Sequence, residues 1–96
     1  MYRRRLESNA GMLFLYSRLE HANMWMKNTN IPLDLLFINK AGRIVGINQR
    51  TVPHSLEVIS SDVPIKAVLE VNAGTVARLQ IHIGDQVIHG AFGEKF

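Results

Sequence analysis

The sequence predicts a mainly β domain of α+β type: a compact antiparallel sheet or small barrel with one short helix near residues 73–80. Three observations predict it. Most apolar runs have strand length, not helix length, and Gly, Pro and Asn bound them. β-branched residues concentrate in residues 43–48, and apolar and polar positions alternate through much of residues 65–71. Only beyond Asn72 does the apolar spacing change to i, i+3, i+4, which is helical.

Taken in order, Gly11-Met12-Leu13-Phe14-Leu15-Tyr16 follows a turn at Asn9-Ala10-Gly11 and predicts a buried strand. Met24 and Met26 flank Trp25 on a strand-like segment, so the alternation sends Trp25 to one face and both methionines to the other. Leu33–Ile38, between Pro32 and Asn39, predicts a second buried strand. Asn39-Lys40-Ala41-Gly42 reads as a tight turn with Gly at the positive-φ position, and Ile44, Val45 and Ile47 make residues 43–48 its partner strand. Residues 49–55, with Pro53, form a looser connection. After Pro64, Ile65, Ala67, Leu69 and Val71 alternate with Lys66, Val68 and Glu70, which predicts a strand with Glu70 turned away from the core. Asn72 is the expected N-cap of a helix through Ala73, Val76 and Ala77, ending near Gln80. A turn at Ile81-His82-Ile83-Gly84-Asp85 then leads into a last strand over residues 86–89.

At 96 residues the chain supports a single domain, residues 1–96, able to bury about 60 to 65% of its unfolded surface. The 47% apolar, 20% charged and 7% aromatic composition is that of a globular domain. Without cysteine, a disulfide framework, a thiolate metal site and a cysteine nucleophile are excluded. No run reaches the roughly 20 apolar residues of a membrane helix. Met1-Tyr2-Arg3-Arg4-Arg5 continues into polar residues, so no signal peptide is expected and the chain as written reads as cytoplasmic. The net charge of +3 is spread among acids, and a mixed solvated surface is expected.

The ordered motifs resemble the uncharacterised bacterial and archaeal family called domain of unknown function 192, also uncharacterised protein family 0127. The resemblance is carried by the arginine-led opening with Asn9-Ala10-Gly11-Met12-Leu13-Phe14, by Trp25-Met26-Lys27-Asn28-Thr29 with Ile31-Pro32-Leu33-Asp34, and by Thr51, Pro53 and Ser55. Val68-Leu69-Glu70 with Asn72-Ala73-Gly74, and Gly84-Asp85, complete it. It implies a small β-rich domain of unestablished role, often in exported or envelope-linked proteins. It also implies a further strand and, in many members, a leader before Met1, so this chain looks shortened and an unpaired strand edge would invite a homodimer. Where the resemblance expects Gly after the helix, this chain has Gln80, which implies a strained or altered helix end.

The candidate binding residues are Trp25, Lys27, Asn28, Thr29, Asp34, Glu70 and Asn72: a cation, amides, a hydroxyl, two carboxylates and an apolar wall that would converge if the two motif segments are neighbours. They point to a small polar molecule or a peptide. The competing structural reading has Asn28 and Thr29 satisfying loop backbone and Lys27 pairing with Glu70 or Asp34. His21, His54, His82 and His89 show no ligand-like spacing, so no metal and no cofactor is expected. No nucleophile elbow or phosphate loop is present, and no catalytic residue is assigned. Two alternatives stand beside binding. One is a dimeric DNA-binding regulator, from a likeness of Leu79-Gln80-Ile81-His82-Ile83-Gly84-Asp85-Gln86-Val87 to swapped-hairpin AbrB-type proteins, with Arg3, Arg4, Arg5, Arg43, Arg50 and Arg78 for phosphate contacts. The other is an enzyme using Asp34 or Glu70 as acid or base.

Overall fold

The computed structural model describes residues 11–87. The arginine-led opening, Asn9, Ala10, and residues 88 and 89 of the strand expected over residues 86–89 lie outside them. The elements are β1 (Gly11–Glu20), β2 (Asn23–Met24), β3 (Leu33–Ile38), β4 (Ile44–Asn48), β5 (Ile59–Ser60), β6 (Ile65–Asn72) and the single short helix α1 (Thr75–Leu79). The fold is mainly β with two antiparallel sheets, as expected. The larger sheet runs β1-β6-β3-β4 and is open, not a closed barrel; β2 and β5 form the smaller one.

β3 is the centre of the molecule. All six of its residues are buried, including Asp34, because both faces of the sheet are covered. On one face Leu33, Leu35, Phe37, Val68 and Ile65 pack with Ala22 and Met26, which come from the segment around the smaller sheet. On the other, Leu36, Ile38, Ile44 and Ala67 pack with Val76 of α1. The β3–β4 hairpin closes at Asn39-Lys40-Ala41-Gly42 as its sequence requires. Gly42 has φ 82°, and the Asn39 side-chain oxygen accepts from the amides of Ala41 and Arg43. Gly46 pairs with Phe37, and a Cβ there would meet the Phe37 ring at 2.9 Å, so the glycine makes room for the ring.

Three local expectations need correction. β1 forms where expected but is not a buried strand: it is an edge of the large sheet, and its residues are half-buried or exposed. Asn72 ends β6 and does not cap the helix: the N-cap is Gly74, at φ 93°, with no side-chain cap of its own. The cap comes from across the sheet, where Asp34 Oδ2 accepts from Gly74 N at 3.1 Å and Val76 N at 2.9 Å. Glu70 is also not turned to solvent. It is 4% exposed, because the alternating face assigned to solvent is covered in the folded domain. At the other end of α1, Gln80 takes the left-handed conformation, φ 54° and ψ 48°, with its amide bonded to the carbonyl of Ala77 and that of Ile81 to Val76. A non-glycine residue sits where glycine is cheapest.

The segment after α1 folds back on β4 of the same chain. Gly84 N donates to Ile44 O at 2.8 Å, Ile44 N to Asp85 O at 2.9 Å, and Val87 N to Gly42 O at 2.7 Å, and Arg43 and Gln86 form a bridge. Within the described residues no helix is long and apolar enough to cross a membrane.

Candidate functional site

The loop between β2 and β3 is held from three sides. Thr29 N donates to Met26 O at 3.1 Å, making a turn at Lys27 and Asn28. His54 N donates to Thr29 O at 3.1 Å, and His54 Nδ1 lies 3.2 Å from Lys27 O, a bond that puts the ring proton on Nδ1 because a carbonyl only accepts. Below the turn, Thr51 is tied to Leu33 twice: its hydroxyl accepts from Leu33 N and its amide donates to Leu33 O. The family motif around Thr51 and Pro53 is thus a brace for the loop. With the backbone fixed in this way, Met26 and Thr29 turn inward and are buried while Trp25, Lys27 and Asn28 are exposed.

The inward side of this loop, the β1–β6 pair and β2 enclose a cleft of about 330 Å³, lined by Phe14, Tyr16, Asn23, Met24, Trp25, Met26, Thr29, Val68 and Glu70. That volume is at the lower end for small-molecule sites. Trp25 is 50% exposed and stands at the mouth, and the Lys27 ammonium rests 5.3 Å from its ring centroid. Burial, and secondarily the Glu20 charge, hold the Tyr16 phenol above its ordinary pKa, so it is a neutral hydroxyl at physiological pH.

Of the expected site residues, the fold brings Trp25, Thr29 and Glu70 together in the cleft and keeps Lys27 beside it through Trp25. Asn28 is on the exposed turn. Asp34 lies on the opposite face of the sheet: it pairs with Val71, whereas Glu70 pairs with its neighbour Leu35. Its carboxylate accepts three backbone amides, Arg50 N to Oδ1 at 2.9 Å and the two from the start of α1 to Oδ2. Asn72 lines a second concavity with Gly74, Thr75 and Arg78. Among the described residues no three His, Asp or Glu side chains cluster as metal ligands.

The sequence reading did not anticipate Phe14, Tyr16, Met24 and Val68 as walls. Their signal was present: Phe14 and Tyr16 are two apart on β1, hence on one face, and Phe14 pairs with Val68, two residues from Glu70. It could not be used without knowing that β1 and β6 are neighbours.

The family model of domain of unknown function 192 (DUF192, "Uncharacterized ACR") matches residues 1–89. Among solved structures the chain is similar to a protein of Sinorhizobium meliloti provisionally called a transcription regulator, at 46% identity and a TM-score of 0.91, over 95% of this chain and 70% of that one. It is also similar to a protein of unknown function from Novosphingobium aromaticivorans, at 40% identity and a TM-score of 0.85, over 90% of this chain and 61% of that one. No curated protein matches.

Proposed function

The chain belongs to the uncharacterised DUF192 family, and from that premise we propose that it is a binding module holding a small molecule or a peptide side chain in the Trp25–Glu70 cleft. The observation that supports this is the composition of the cleft. Apolar rings and thioethers surround a buried carboxylate and a buried hydroxyl, Glu70 and Thr29, giving a mostly apolar wall with few polar groups to orient a ligand. Asp34 and Glu70 are on opposite faces of the sheet, so they do not act as a pair in this cleft.

Trp25 is the chain's single tryptophan, so its fluorescence reports on this cleft alone. Titration with a fragment library should shift its emission saturably, and amide shifts in a labelled sample should concentrate at residues 14–16, 23–29 and 68–70. Trp25→Ala should weaken binding at least about tenfold while changing stability by no more than about 0.5 to 1 kcal/mol, because half of the ring is already in water. Shifts confined to the Asn72–Arg78 concavity would refute the reading.

A second reading, a dimeric DNA-binding regulator, draws on the name of the S. meliloti protein. Retardation of duplex DNA at low salt, weakening steeply as salt is added, would favour it.

A further inference from the structure

Resting on the cleft-binding reading, we propose that the ligand carries a neutral carbonyl group on an apolar body, seated with the body inward and the carbonyl oxygen at the rim. Burial grades the cleft from floor to rim. Val68 and Met26, 0% and 2% exposed, give an apolar floor, whereas Tyr16 is half-buried, Asn23 is exposed and Trp25 is 50% exposed. Hydrogen-bonding groups therefore stand where an entering molecule keeps its polar end.

These rim residues have protons to donate. Asn23 accepts the Ser60 hydroxyl on its carboxamide oxygen at 3.0 Å, which leaves the two N–H donors of the same group. The Trp25 indole N–H can only donate, and the Tyr16 phenol is held protonated by burial and by Glu20. Among the described residues none of these three side chains donates to a protein acceptor. Thr29 and Glu70, the other polar lining residues, are engaged with the protein itself and are not needed for this contact.

A carbonyl oxygen has two lone pairs and no proton, so it answers two such donors and competes with none. Both signs of charge flank the rim: Glu20 acts on the Tyr16 phenol, and the Lys27 ammonium lies 5.3 Å from the Trp25 centroid. The rim therefore suits a dipole better than a net charge. An apolar floor below a donor rim matches a ketone or an amide, either in a small molecule or in a polypeptide.

The test removes the acceptor at nearly constant shape. The 96-residue chain, isotope-labelled, is titrated with cyclohexanone, methylenecyclohexane, cyclohexanecarboxylate and N-acetylleucine methylamide, and Kd is read from amide shifts. The comparison is between variants, because the probes differ in what leaving water costs them. Tyr16→Phe should weaken cyclohexanone about three- to tenfold, the effect of one lost hydrogen bond, and leave methylenecyclohexane within about twofold. Asn23→Leu should do the same from the β2 wall, and it decides the matter if Tyr16→Phe does not fold. Tighter binding of N-acetylleucine methylamide than of cyclohexanone would assign the carbonyl to a polypeptide, and the reverse to a small molecule. Cyclohexanecarboxylate binding tighter than cyclohexanone would overturn the neutral assignment. If the variants weaken ketone and alkene alike, or neither, the carbonyl inference falls and the cleft reading stands. If no probe shifts the amides of residues 14–16 and 23–29, both fall.

Discussion

At the residue scale the two acids of the family motifs have taken different work. Asp34, fully buried, uses both oxygens to collect the amides of Arg50, Gly74 and Val76, joining the end of the hairpin to the start of the helix. Asp34→Ala would leave three amide donors without that acceptor. Bonds to a charged acceptor contribute roughly 1.5 to 3 kcal/mol each and are not additive, so a loss of about 3 kcal/mol is expected in urea denaturation. A loss under about 1 kcal/mol would mean that the amides find other partners. Tyr16 gives a pH signature. Its raised pKa means that above the usual tyrosine value of about 10 the folded chain keeps a proton that the unfolded chain has released. The corresponding stability is complete below about pH 10 and is lost as pH rises through the folded value. Denaturation midpoints measured between about pH 9 and 11.5 should fall less steeply for Tyr16→Phe than for the native chain. Parallel curves would show that the phenol is as solvated as in the unfolded state.

At the element scale, the strands were legible wherever apolar runs met turn chemistry. Leu33–Ile38 and the turn at Asn39 to Gly42 need only local rules: Pro32 ahead, an Asx-type contact, and a glycine where φ must be positive. The helix was legible in position but not in its capping. Asn72 has the chemistry of an N-cap, yet β6 runs through it because Leu33 pairs with it, and the helix is capped by a carboxylate 40 residues earlier in sequence. No local rule finds such a cap. The other helix end was legible, because Gln80 stands where a left-handed residue is needed. Gln80→Gly should relieve that conformation and raise stability by about 0.5 to 1 kcal/mol, less whatever the freer unfolded glycine gives back. The check is the denaturant midpoint at unchanged slope. A decrease would show that the Gln80 side chain stabilises the helix end by more than its backbone costs.

At the scale of the whole molecule, the unreadable fact was which strands are neighbours. Periodicity assigns a residue to a face of its strand, but the faces of two strands are matched only by register. Pairing Leu35 with Glu70 is what sends Asp34 and Glu70 apart and brings Glu70 to Phe14, Tyr16 and Val68. The same topology sets how the cleft opens. β6 and β3 sit between partners in the large sheet, whereas β2 and β5 share only the pairs Asn23–Ser60 and Met24–Ile59. That small sheet is fastened by Ser61, whose hydroxyl accepts from Ala22 N at 2.8 Å and donates to Val63 O at 2.8 Å, and whose amide donates to Ala22 O. Because β2 forms one wall of the cleft, a local opening there would admit a ligand while the large sheet stays intact. Native-state hydrogen exchange should then show the amides of Ala22 and Ser61 exchanging well before those of β3 and β6. Ser61→Ala, which removes two hydrogen bonds at about 0.5 to 1.5 kcal/mol each, should speed exchange at Ala22 by roughly 5- to 150-fold. The central strands should slow or quicken far less, since their protection reports global unfolding. If the substitution accelerated β3, β6 and Ala22 alike, the small sheet would belong to the same cooperative unit as the core, and entry to the cleft would need another route.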